Sequence, residues 1–290
     1  MLQEEKLDNF LNAFLDGKGD SVSVDTDFWE EETTEIEKEG FWDYQMVLAV
    51  PRGKGKLTKR TVVSIFLILI AIPLTIWIGI TFFADRRYLV ISLVLAVFAI
   101  LPFFMVFEGR KPKARELLTI AVLVAIAVAG RAAFFMLQSF KPVAAVTIIA
   151  GVSFGAESGF LVGSLSMMVS NMLFGQGPWT PWQMLAMGII GFLAGILFQK
   201  GWLKARKGSL CIYGFLAVLF IYGGIMNPAS LVMMSYAITP KNLLAIYMSG
   251  LPVDLVHATA TLIFLWLVSR PMIEKLERIK AKYGIIEETQ

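Results

Sequence analysis

An all-α protein of several membrane-spanning helices is what this sequence predicts, and three observations predict it. Hydrophobic residues make up 57% of its 290 residues and the mean hydropathy is +0.68, well above a soluble domain's usual apolar share. Uncharged runs such as Thr61 to Phe83 and Tyr88 to Phe107 exceed the roughly 18 residues that cross a bilayer core. Basic residues gather at the ends of the runs, while most acids lie before residue 45. The net charge of +3 therefore divides into an acidic head and a basic-flanked membrane body.

Residues 1–58 read as a cytosolic segment. Leu2, Leu7, Phe10, Leu11, Phe14 and Leu15 fall at helical spacing and predict a short amphipathic helix. The acidic stretch from Glu30 to Glu39 is a solvated face or arm, with a docking surface as the sharper alternative. Arg52, Lys54, Lys56, Lys59 and Arg60 form a basic collar before the first apolar run. The polar N-terminus does not follow a signal-peptide pattern, so no cleavage is expected.

Eight spans are predicted, near 61–83, 88–107, 115–136, 142–155, 158–174, 182–199, 210–236 and 243–269. The first two form a transmembrane hairpin within residues 59–109. The polar linker Glu108-Gly-Arg-Lys-Pro-Lys-Ala-Arg115 separates it from a six-helix unit at 110–283. The small hinge Gly155-Ala-Glu-Ser-Gly159 divides the fourth span from the fifth. Inside-facing loops then hold Arg110, Lys111, Lys113 and Arg115, next Lys200, Lys204, Arg206 and Lys207, and finally the basic tail after Arg270. Arg86, Arg87, Lys141 and Lys241 fall outside, so the bias places both termini in the cytosol of a multi-pass cell-membrane protein.

Asn171-Met-Leu-Phe-Gly-Gln-Gly-Pro-Trp-Thr-Pro-Trp-Gln183 is more elaborate than a chain reversal requires. Pro and Gly fix its backbone, while Trp and Gln supply stacking and hydrogen bonds, which suits a loop closing over a ligand at the outer surface. Ala121, Ala125, Ala129 and Ala133 recur every fourth residue and form one small ridge on the third span. Such a ridge serves either internal packing or docking of an outside helix. The pairs Gly159/Gly163 and Gly191/Gly195 repeat the spacing and are read as internal packing.

Ionisable residues within a membrane each need an account. Arg131 lies roughly 24 Å up the third span at 1.5 Å per residue; it either snorkels into headgroups or lines a pocket beneath the outer loop. Asp254 and His257 share a face of the last span and read first as a structural pair, with ligand contact as the alternative. His257 is the only histidine, so a metal site is not expected. Asn227 precedes Pro228, which frees a backbone carbonyl, and Tyr222 lies about a turn and a half earlier. Gln138 and Lys141 share the outer side with Asn171, Gln176, Trp179, Trp182 and Gln183. Together with Arg131, Tyr222, Asn227, Asp254 and His257 these are the candidate ligand-binding residues. The lone Cys211 reads as a small buried residue.

The sequence has no Walker lysine loop, aspartate-rich diphosphate motif, GxSxG elbow or paired membrane acids. No catalytic residue, cofactor or nucleic-acid partner is expected, and any transport must draw its energy from a partner. The ridge Ala121-x-x-x-Ala125-x-x-x-Ala129, Val152-Ser-Phe-Gly-Ala-Glu-Ser-Gly159, Gly175-Gln-Gly-Pro-Trp-Thr-Pro-Trp-Gln-Met184 and Gly188-Ile-Ile-Gly-Phe-Leu-Ala-Gly195 resemble the substrate-binding S-component of energy-coupling factor (ECF) vitamin transporters. The resemblance runs from Lys113 to Lys282. It implies a six-helix bundle that captures a micronutrient outside and docks through Ala121, Ala125 and Ala129. The docking partner is a transmembrane coupling subunit driven by two ATPases, and the bundle then topples in the bilayer to release its cargo. The head and hairpin depart from the minimal pattern. The Trp-Thr-Pro-Trp loop looks closest to S-components linked to corrinoids of the cobalamin type, with a queuosine precursor or another heteroaromatic micronutrient as alternatives. A membrane enzyme using Asp254, His257 and Arg131, or a scaffold acting through the acidic head, are the readings from other classes.

Overall fold

The computed structural model describes residues 114–234 and 239–283. The predicted segment 1–58 and hairpin 59–109 lie outside the described residues. Six helices follow in order: α1 Ala114–Ala133, α2 Val143–Phe154, α3 Ala156–Phe174, α4 Thr180–Gln199, α5 Lys207–Met233 and α6 Pro240–Tyr283. Within α1, α4, α5 and α6 lie stretches long and apolar enough to cross a membrane, and α2 is a shorter apolar helix. No strand occurs among the described residues. The chain is an all-α membrane protein.

The bundle is built around α2. All twelve of its residues are buried, as expected of a helix that is apolar on every side. The most extensive interface joins α3 to α4, and α2 packs closely on both. A Cβ on Gly191 would run into the carbonyl oxygen of Gly159, and one on Gly159 into that of Gly191. Gly151 likewise meets the Gly191 carbonyl, while Gly163 meets that of Met187. The glycine pairs are therefore internal packing devices that let three backbones touch, the arrangement that favours association in lipid.

Two ends of this bundle differ. The hinge end holds Gly155 and the chain at 200–206. The predicted five-residue hinge contracts there to Gly155 alone, at φ 95°, and α3 starts at the next residue. The turn end holds the chain between α1 and α2 and the turn at 175–179.

Helix α5 contains a π-helical turn at Val218–Tyr222, a feature often found at functional sites. Pro228 lies within α5 and cannot bond the carbonyl one turn back. That carbonyl, on Gly224, accepts instead from the Tyr247 hydroxyl at 3.1 Å.

Helix α6 is longer than the predicted span ending at 269, running through Pro271 to Tyr283 for 44 residues. At 1.5 Å per residue it is about 66 Å long, roughly twice the ~30 Å hydrocarbon core. Hydropathy marks where lipid contact ends, whereas Glu, Lys and Arg remain good helix formers beyond it. The extension is anchored at the hinge end. Lys280 is buried, donates to the Ser153 carbonyl at 2.7 Å and pairs with Glu277 at 2.5 Å. It thereby satisfies a carbonyl in the last turn of α2 that the helix itself leaves free. Cys211 is buried and directs its thiol at the Leu262 carbonyl, 3.5 Å away.

Candidate ligand-binding cavity

A cavity of about 180 Å³ opens at the turn end, and every helix or its adjoining turn contributes to its wall. Arg131 comes from α1, and Gln138, Ser139 and Lys141 from the chain leading to α2. Val143, Met167, Gln183, Met187, Tyr222 and His257 complete it from α2 to α6. Six of the candidate residues thus converge: Arg131, Gln138, Lys141, Gln183, Tyr222 and His257.

Arg131 does not snorkel. Its Nη1 donates to Ser170 Oγ at 2.6 Å and lies 3.6 Å from Met167 Sδ, and its guanidinium stands 6.0 Å from the centre of the Phe174 ring. The guanidinium is thereby turned toward α3 and the cavity, because neutral partners inside offset its desolvation. Across the cavity Tyr222 and His257 meet edge to face with centroids 4.7 Å apart, a favourable aromatic geometry.

Asn171 is fully buried and lies behind the wall rather than in it. Its amide donates to Thr180 Oγ1 at 3.0 Å and to Gln183 Oε1 at 2.9 Å. Gln183 and Tyr222 both line the cavity. The bonds from α3 to α4 therefore fix Gln183 in the cavity wall. Replacing Asn171 with alanine is expected to cost about 2 kcal/mol, near 1 kcal/mol per lost bond, and to release Gln183. The check is the melting temperature and ligand affinity of Asn171→Ala; unchanged affinity would remove this role.

The other candidates stand apart from the wall. Asp254 does not pair with His257: its Oδ2 accepts from the Asn227 amide at 2.7 Å. Gly223 and Gly250, lacking side chains, make room for that pair, so α5 supplies a closer partner than the next turn of α6. Trp182 is 3% exposed and packs in a second apolar cluster with Phe160, Leu185 and Phe192. Trp179 and Gln176 are exposed, with the Trp179 ring lying over Gly177. Sequence reasoning missed Ser170, whose only signal is the need of a membrane arginine for a nearby acceptor. It also missed Ser139, a serine held at φ 59°, in the left-handed region uncommon outside glycine.

Burial, and next the Arg131 guanidinium, holds the Lys141 ammonium below the ordinary lysine value of 10.5. A base with a depressed folded-state pKa binds fewer protons folded than unfolded, so stability rises with pH between that depressed value and 10.5. The empty protein is thus expected to gain melting temperature over this alkaline window relative to Lys141→Met. Parallel curves for the two would remove the account.

An apolar six-helix bundle enclosing a polar cavity at one end defines a membrane-embedded small-molecule binding protein. The family described as "ECF-type riboflavin transporter, S component" matches residues 111–272, over half of the chain, and the chain belongs to that family. Its members are transporter components rather than enzymes. The chain is also similar to UPF0397 protein VS_II0189 of Vibrio atlanticus (strain LGP32). The two are 31% identical over 98 residues, 33% of this chain and 53% of the relative, so the chain spans about half the length of that curated relative. No solved structure matches it.

Proposed function

We propose that this chain is the substrate-binding subunit of an ATP-driven ECF importer. It captures a small, ring-bearing micronutrient in the cavity at the turn end, and that end faces the outside. The convergence of all six helices on one polar cavity carries this reading. The positive-inside bias supports the orientation. Lys200, Lys204, Arg206 and Lys207 cluster at the hinge end, against Lys141 and Lys241 at the other. Residues 110–283 are the working unit, 59–109 an anchoring hairpin and 1–58 a cytosolic segment. The partners are a transmembrane coupling subunit and two ATPases, met through the α1 ridge.

The family description favours a flavin-sized planar ring over a corrinoid. The corrinoid alternative rests on the Trp-Thr-Pro-Trp segment, yet Trp182 of that segment is packed in the core. The cavity of about 180 Å³ is also smaller than the ~300–1,000 Å³ of pockets that enclose drug-sized ligands. A corrinoid would require the larger opening of the turn end.

The test is affinity isolation of the tagged chain from its native membrane, joined to uptake of labelled riboflavin and cobalamin by the intact complex. Co-isolation of a coupling subunit and ATPases, with uptake lost on deleting the chain, is the expected result. Isolation without such partners and unchanged uptake would overturn the assignment.

A further inference from the structure

We infer that the captured ligand is an anion, a carboxylate- or phosphate-bearing ring compound whose charge seats between Arg131 and Lys141. The inference rests on the capture function proposed above and specifies its substrate class. Both cations line the cavity, and neither has a protein counter-ion among the described residues. Arg131 bonds only a serine hydroxyl and a thioether. Lys141 bonds only the Leu137 carbonyl, at 3.3 Å.

Among the described residues, Asp254 is the only acid near this end of the molecule. Between Glu157 and Asp254 the chain contains no Asp or Glu at all. Asp254 is held by Asn227 and is not part of the wall. Glu116 and Glu157 lie in the first turns of α1 and α3, at the hinge end. Glu274 and Glu277 are paired with Arg270 and Lys280. Two cations beside one cavity repel each other, and holding the part-buried Arg131 without a counter-ion is unfavourable. An arriving anion relieves both costs at once.

The donors suit that role. Of the five N–H groups of a guanidinium, Arg131 commits those on Nη1 to partners among the described residues. The remainder present the fork that matches a carboxylate or phosphate, and an adjacent lysine adds a point charge. The Tyr222–His257 pair with Met167 and Met187 forms the apolar slot for the ring.

The experiment uses the full chain in phosphatidylcholine nanodiscs. Its melting temperature is titrated with FMN against riboflavin and with nicotinate against nicotinamide, pairs that differ by one anionic group on the same ring. In at least one pair the acid is expected to act at about one-tenth or less of the concentration its neutral twin needs, the scale of one charge-assisted contact. The double variant Arg131→Gln with Lys141→Gln should bring the twins within about twofold of each other. Lys141→Gln alone, tied only to a backbone carbonyl, provides the same readout at smaller amplitude should the double variant not fold. Twins that bind alike in both pairs, or acids that stabilise nothing up to about 10 mM, a concentration well above what a ~1 mM binder needs, overturn the inference. Stabilisation by phosphatidylglycerol in the discs but by no soluble acid assigns the charge to a lipid headgroup and overturns it as well. Equal binding within both pairs would leave capture standing and remove only the charge selection. Loss of capture itself would show in the isolation experiment.

Discussion

Replacing Gly191 with leucine is expected to abolish the folded bundle, leaving no monodisperse protein after detergent extraction. At this position α4 meets α3 backbone to backbone and meets α2 at the Thr147 methyl. A Cβ would strike the carbonyl oxygen of Gly159, the carbonyl carbon behind it and the Thr147 methyl. None of these is the movable end of a long side chain, so relief requires that whole helices part. Overpacking a core usually costs about 1–3 kcal/mol, and here it would also undo the close approach that substitutes for hydrophobic driving force in lipid. A loss of at least about 3 kcal/mol is therefore expected.

Two controls separate sterics from other effects. Gly130→Ala meets one neighbour, the Pro142 ring, rather than a helix backbone, and adds only a methyl, so it should be milder. Gly155→Ala meets no atom within 4 Å but sits at φ 95° and ψ 175°, so its cost is conformational, on the order of 1–3 kcal/mol. Size-exclusion profiles and melting curves of the three variants would rank them. A Gly191→Leu protein melting within a few degrees of wild type would refute the backbone-contact account.

The bundle was legible because apolar length and loop charge are local properties. Spans predicted at 115–136, 142–155, 158–174 and 182–199 correspond to α1 through α4 within a few residues. Spacing also foretold which glycines pack, since residues four apart share a ridge whatever the ridge meets. What spacing cannot supply is the partner on another helix. Asp254 and His257 do share a face, yet the crossing of α5 places Asn227 nearer to the carboxylate. Trp182 and Trp179 lie in one Pro-rich segment, but Trp182 falls on the buried side of α4 and Trp179 caps its start. Arg131 looked equally able to reach headgroups because its acceptor, Ser170, is 39 residues away in sequence. The polar groups that line the cavity come from five separate elements, α1, the chain leading to α2, α4, α5 and α6, and no single window contains that fact. Composition did hold one long-range clue, the absence of acids between Glu157 and Asp254.

Replacing Ala121 and Ala125 together with leucine is expected to abolish uptake while leaving ligand binding and stability unchanged. Ala121, Ala125 and Ala129 are all exposed, whereas Leu123, Val124, Ala127 and Val128 on the opposite side of α1 are buried in the core. Among the described residues the ridge therefore faces away from the bundle's core, although it has the small-residue form that closely packed membrane helices use. Leucine is chosen over a charged residue because it leaves the apolar character of α1 intact and avoids the insertion penalty of roughly 2.5–3.5 kcal/mol carried by arginine at mid-membrane. It acts only by standing where another helix's backbone would come. If the coupling subunit docks here, a few kcal/mol of lost complementarity weakens the complex at least tenfold per 1.4 kcal/mol. The purified variant should then bind its ligand with wild-type affinity, fail to co-isolate the coupling subunit, and support no accumulation of labelled substrate. Uptake at the wild-type rate by the double variant would show that the ridge is merely lipid-facing, and the docking surface would have to lie on another exposed face of the bundle.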